Sequence, residues 1–134
     1  MIEGVLETAL YADDLDKAEV FYGQTLGLEL IRRGGNRHLF YRCGAGVLLI
    51  FNPDETQKTD ENDPLQVPPH GARGAGHVCF IVTADDLEAF AEKLSAAGVE
   101  IEHRLTWPNG TPSIYFRDPA GNSLEITRRN LWNS

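Results

Sequence analysis

The sequence predicts an α+β fold made of two tandem βαβββ modules, whose strands form a curled mixed sheet with an open concave cleft and helices on the outside. Three observations lead there. A chain of 134 residues, 42% of them hydrophobic, holds one compact core and not two ordinary domains. Ala12-Asp13-Asp14-Leu15 recurs as Ala84-Asp85-Asp86-Leu87, Leu26-Gly27-Leu28-Glu29-Leu30 is echoed by Ala97-Gly98-Val99-Glu100-Ile101, and Tyr41 to Gly46 by Phe116 to Gly121. The offsets of 72, 71 and 75 residues are nearly constant, and each copy follows an apolar run and precedes a helical pattern.

The elements follow in order. Val5 to Tyr11 is a short apolar-rich strand ending at Asp13, whose carboxylate is suited to cap the next helix. Leu15, Ala18, Phe21, Tyr22 and Leu26 fall at helical spacing, and Gly27 supplies the positive φ that ends the helix. Extended runs come next at Glu29 to Arg32, His38 to Arg42 and Val47 to Phe51. In the second copy Val78 to Val82 is the strand, Leu87, Phe90, Leu94 and Ala97 the helical stripe, and Gly98 the stop. Its later strands are Glu100 to Thr106, Pro112 to Arg117 and Ser123 to Thr127. The single domain, 1–134, therefore divides into module one (about 1–52), a linker (about 53–75), module two (about 76–127) and a tail (128–134). The linker starts acidic and solvated, then narrows to Val67-Pro68-Pro69-His70-Gly71, where rigid prolines precede a titratable ring, as in a lid.

Composition removes several classes of function. A formal charge of -8 argues against a nucleic-acid or anionic-membrane partner, and the Arg128-Arg129 tail with Trp132 is too short a basic signal to reverse that. No window resembles a membrane span or a leader peptide, and two cysteines, Cys43 and Cys79, read as reduced, buried small residues. The expectation is a cytoplasmic protein.

Strand alternation then selects the polar residues. Leu6 and Leu10 take the helix side of the first strand, which puts Glu7 on the other face; Leu124 and Ile126 do the same for Glu125, and Val78 and Phe80 for His77. Side-by-side modules would bring Glu7, His77 and Glu125 to one concave surface, where two carboxylates and an imidazole are costly unless a cation joins them. Two oxygens and one nitrogen suit a divalent metal (Ni, Zn, Mn, Co, Fe or Mg) with coordination positions left open for a substrate. Metal-free, the same residues would be a hydrogen-bonded polar cluster.

The paired modules, Phe21-Tyr22, Leu26-Gly27-Leu28, Gly76-His77-Val78 and the ending Tyr115-Phe116-Arg117-Asp118-Pro119-Ala120-Gly121-Asn122-Ser123-Leu124-Glu125 resemble the vicinal oxygen chelate superfamily. That group includes glyoxalase I, fosfomycin-resistance enzymes, bleomycin-binding proteins and extradiol dioxygenases. The resemblance implies metal ligands at His77 and Glu125, with Glu7 where many members carry His. Aligning Gly46 with Gly121 sets Ile50 opposite Glu125, so the fourth, carboxylate ligand of glyoxalase I is missing. The implied function is a metal-dependent, glyoxalase-like lyase or isomerase that chelates vicinal oxygens of a small substrate and stabilises an enolate or oxyanion, with Glu7 or Glu125 alternating between ligand and proton-transfer group. The alternatives are a metal-free binding protein of the bleomycin-resistance type and, below it, an extradiol-type dioxygenase. His70, Arg73, Trp107 and Tyr115 are candidate substrate contacts, with Arg104 and Arg117 also weighed and Arg117 better explained by its turn. Relatives commonly pair, so a homodimer is expected.

Overall fold

The computed structural model describes residues 1–133; Ser134, the last residue of the expected tail, lies outside the described residues. The chain forms two compact units, Met1–Gly74 and Ala75 onward. The linker therefore belongs to the first unit.

In the first unit β1 (Glu7–Tyr11) leads into α1 (Leu15–Glu19), followed by β2 (Glu29–Gly34), β3 (His38–Cys43), β4 (Gly46–Phe51) and a short α2 (Pro53–Thr56). The second unit holds β5 (His77–Ile81), a 3-10 turn (Ala84–Asp86), α3 (Leu87–Ala96), β6 (His103–Thr106), β7 (Pro112–Arg117), β8 (Ser123–Thr127) and a closing 3-10 turn (Arg129–Trp132). The sheets have orders β1-β4-β3-β2 and β5-β8-β7-β6. Each is mixed, with a parallel first pair (β1 with β4, β5 with β8) and antiparallel pairs elsewhere. Duplication thus extends to topology and register.

The expected curled mixed sheet with a concave cleft is not what forms. The strands make two separate four-stranded sheets, neither of them closed or strongly curled. Four strands are too few to close a barrel, and each sheet ends on edge strands of its own.

Local sequence accounts for the elements. Asp14, not the expected Asp13, caps α1 by accepting from the Lys17 amide at 3.1 Å. The helix then widens into a π-helical stretch over Val20–Thr25, with the Leu26 amide donating to Phe21 O at 2.9 Å, and Gly27 (φ 77) ends it as expected. Helix α2 falls inside the expected linker, although Asn52-Pro53 is a helix-start signature: the Asn52 side chain accepts from the Asp54 amide and Pro53 occupies the first turn. Strand β1 starts at Glu7, and Leu6, expected to pack under the helix, is exposed.

Burial follows the two periodicities. Leu10, Leu39, Tyr41, Leu48 and Ile50 from one face of the first sheet join Leu15, Ala18 and Tyr22 in its core. Leu87, Ala91 and Leu94, spaced for one helix face, form the second core with Ile114, Phe116, Leu124 and Ile126. Burying a side chain of this size contributes about 1.5–3 kcal/mol.

The β2–β3 hairpin contains one position with no room for a side chain. A Cβ on Gly34 would lie 2.3 Å from His38 Nε2, and the His38 ring is stacked flat on Phe40 with centroids 4.2 Å apart. Gly34→Ala should therefore displace a packed ring and cost about 1–3 kcal/mol, read as a lower urea midpoint with an unchanged slope.

Candidate functional site

Register builds a polar row across the second sheet. Cys79 on β5 and Tyr115 on β7 both lie opposite Glu125 on β8, and His103 on β6 lies opposite Tyr115. Alternation points Glu125 away from Leu124 and Ile126, yet its side chain is nearly enclosed, with the residue only 4% exposed. Each carboxylate oxygen has a separate partner. Ser113 Oγ donates to Oε2 at 2.5 Å, while Oε1 faces His77 Nε2 at 3.4 Å.

The His77 ring is oriented from behind. Its Nδ1 lies 2.9 Å from Ser123 O, and because a carbonyl only accepts, Nδ1 carries the proton. In the neutral ring Nε2 is then a lone pair turned toward a carboxylate oxygen. Two acceptors held face to face need a proton or a cation between them. Their separation is close to the edge of a tetrahedron with metal–ligand bonds of about 2.1 Å, so nitrogen and oxygen fit as two ligands of one divalent ion. Among the described residues no group of three or more His, Cys, Asp or Glu side chains is placed to hold a metal, so the pair is a partial ligand set.

Neighbouring groups stay neutral. Burial, then the Glu125 charge and hydrogen bonding to it, pushes the Tyr115 phenol up to about 12 and the Cys79 thiol up to about 12 as well. Cys79 is exposed, not buried as expected, but it is a thiol and not a thiolate at neutral pH.

The other expected residues are placed as follows. Glu7 is the exposed first residue of β1, opposite Val47. Leu49, opposite Ala9, holds the register position that Glu125 holds opposite Cys79; Ile50, aligned there from sequence, faces the core. The position is apolar either way. Arg73 bonds Asp13 at 3.2 Å and also pairs with Asp54, tying the linker's end to the starts of both helices of its unit. Arg104 pairs with Glu88 at 2.9 Å, and Arg117 with Glu102 at 2.8 Å while also donating to Gly121 O, the turn role expected of it. Trp107 donates from Nε1 to Ser113 Oγ at 2.8 Å. Ser113 itself escaped the sequence reading. Alternation with Tyr115 was its only signal, and a small hydroxyl in a strand is an ambiguous one.

His70 packs beside β1 and β4 of the first sheet, its Nδ1 2.8 Å from the Tyr11 hydroxyl and its ring edge-on to Phe51 at 4.6 Å. His38 flanks Phe51 as well. Arg37 Nη1 lies 3.2 Å from His38 Nδ1, and a guanidinium only donates, so the His38 proton is on Nε2, which is buried without a hydrogen-bond partner among the described residues. Burial first, then Arg37 and Arg32, lowers its pKa below the ordinary 6.5. The fold thus favours the neutral ring. That stabilisation is present above pH 6.5 and is lost as pH falls through the lowered value. The urea midpoint should drop as pH falls below 6.5, and drop less in His38→Gln.

The family model for the Glyoxalase/Bleomycin resistance protein/Dioxygenase superfamily matches residues 4–126. A glutathione transferase FosA from Serratia marcescens is 30% identical over 129 residues, covering 94% of this chain and 81% of the relative. A probable lactoylglutathione lyase from Vibrio parahaemolyticus is 30% identical over 135 residues, 91% of this chain and 88% of the relative. Among solved structures, a lactoylglutathione lyase from Agrobacterium tumefaciens superposes with a TM-score of 0.92 at 42% identity, over 99% of this chain and 98% of the other. A family match over residues 4–126, with relatives 30% identical over most of both chains, shows the family: the chain belongs to the glyoxalase/bleomycin resistance protein/dioxygenase superfamily.

Proposed function

We propose that this protein is a glyoxalase-like, metal-dependent lyase or isomerase acting on a small substrate with vicinal oxygens, and that His77 and Glu125 are ligands of its divalent cation. The observation that carries this is the meeting of Nε2 and Oε1 at 3.4 Å, each backed by a hydrogen bond to its other atom. Similarity to proteins named lactoylglutathione lyase supports the reaction class. A cation held by this pair supplies Lewis-acid stabilisation of negative charge developing on substrate oxygens.

The chain's own groups do the rest. Ser123 O holds the imidazole so that its lone pair projects into the site. With Oε2 taken by Ser113, Glu125 holds or moves a proton at Oε1. Tyr115 remains a phenol hydrogen-bonded to Glu125, and Cys79, kept protonated, does not compete as a nucleophile. Glu7 enters this reading through strand alternation and the family resemblance. A homodimer belongs to the same reading, with the sheet edges at β1 and β2 as its physical motive.

Titration of chelator-stripped protein with Mn2+, Ni2+ and Zn2+ should show near-stoichiometric binding that Glu125→Gln and His77→Gln each weaken by at least about tenfold. Glu7→Gln measures that residue's share, and sedimentation of the same samples should give a dimer. Absence of binding for all three ions would overturn the metal-dependent reading in favour of a metal-free binding protein.

A further inference from the structure

The second unit contains a hydrogen-bond chain whose direction is set by chemistry. Trp107 Nε1 only donates, and it donates to Ser113 Oγ at 2.8 Å. The serine has one proton, and it goes to Glu125 Oε2 at 2.5 Å. Ser113 is 1% exposed and Glu125 4%, so water has little access to exchange these partners. Oε2 is consequently an acceptor only. Oε1 is the oxygen without the serine's proton and the one turned toward His77 Nε2.

The start of the chain is itself anchored. Trp107 lies at the β6–β7 turn, where its amide donates to Thr111 O at 2.9 Å and Gly110 donates back to Trp107 O at 2.8 Å. Asn109 Nδ2 reaches the carbonyls of Asn130, Leu131 and Asn133 at 3.3, 3.1 and 3.3 Å, which ties this turn to the end of the chain. The indole therefore sits on a braced hairpin, with the serine one strand in and the carboxylate on the next strand, diagonally across the β7–β8 register.

We propose that Ser113, oriented by Trp107, is the positioning residue that fixes the rotation of the Glu125 carboxylate and so turns Oε1 toward His77 Nε2 for a cation or a proton in transfer. This rests on the cation reading above for its consequence in binding, and on the hydrogen-bond chain alone for its existence. Removing the hydroxyl frees the carboxylate to rotate, takes the acceptor from the indole N–H and takes the serine's donated proton from Oε2. Restoring a hydroxyl restores the direction.

The test uses the full chain and Zn2+, which leaves proton spectra unbroadened. The protein has two tryptophans, so Trp107→Phe assigns the Trp107 indole N–H resonance by its disappearance. That resonance should move in Ser113→Ala and in Glu125→Gln, and on addition of Zn2+ to the wild type. Zn2+ affinity should fall about tenfold in Ser113→Ala, less in Trp107→Phe, and recover in Ser113→Thr. Wild-type Zn2+ affinity in Ser113→Ala, or an indole resonance indifferent to Glu125→Gln, overturns the proposal. If the wild type binds no Zn2+, the cation reading fails separately, and the indole resonance alone decides whether the chain exists.

Discussion

Burying a carboxylate is unfavourable by several kcal/mol unless hydrogen bonds or opposite charge compensate, and Glu125, 4% exposed in the middle of β8, sets that requirement for the second unit. One oxygen is satisfied by Ser113, itself held by Trp107; the other faces an imidazole turned toward it by Ser123 O. Burial, and then this charge, hold Tyr115 and Cys79 in their protonated forms. Hydrogen-bond directions and protonation states around it thus follow from a single residue, while Ser123 O sets the His77 tautomer. Replacing Glu125 by an apolar residue would remove the need for the arrangement, and the first unit shows that outcome. Leu49 occupies the matching register, and aromatic packing among Tyr11, Phe51, Phe40, His38 and His70 fills the corresponding face.

The two units therefore solve one topology in two ways. In both, the first strand pairs in parallel with the last, so the last strand is central, flanked on both sides, and its side chains are the most enclosed of the sheet. In β4 that enclosure is met with Leu48, Leu49, Ile50 and Phe51, and in β8 with Leu124 and Ile126 on one face and Glu125 and Thr127 on the other. Thr127 likewise satisfies its hydroxyl, donating to Pro112 O at 2.8 Å. Polar residues persist at enclosed positions of β8 because each has a partner.

Much of this was legible beforehand. The repeat at Ala12 to Leu15 and Ala84 to Leu87 marked the duplicated modules, and helix stops at Gly27 and Gly98 followed from their positive φ of 77 and 81. His77 and Glu125 were recognisable because alternation isolates a charged residue within an apolar strand. Other features depend on partners distant in sequence. Arg73 looked available for an anion and is shared by Asp13 and Asp54; Cys79 looked like a buried filler and is exposed beside a carboxylate. A one-residue shift in alignment distinguished Ile50 from Leu49, and only the pairing register resolves such a shift, since it moves a side chain to the opposite face.

Sequence alone determined the modules, the strand faces, the helix boundaries to within a few residues and the family. These are local properties, set by periodicity, caps and glycines acting over a few positions. Tertiary structure decided that the strands form two open sheets and not one curled sheet, which hydroxyl reaches which oxygen of Glu125, and which nitrogen of His77 carries its proton. Those outcomes depend on distances of about 3 Å between groups separated by tens of residues, which a pattern along the chain does not encode.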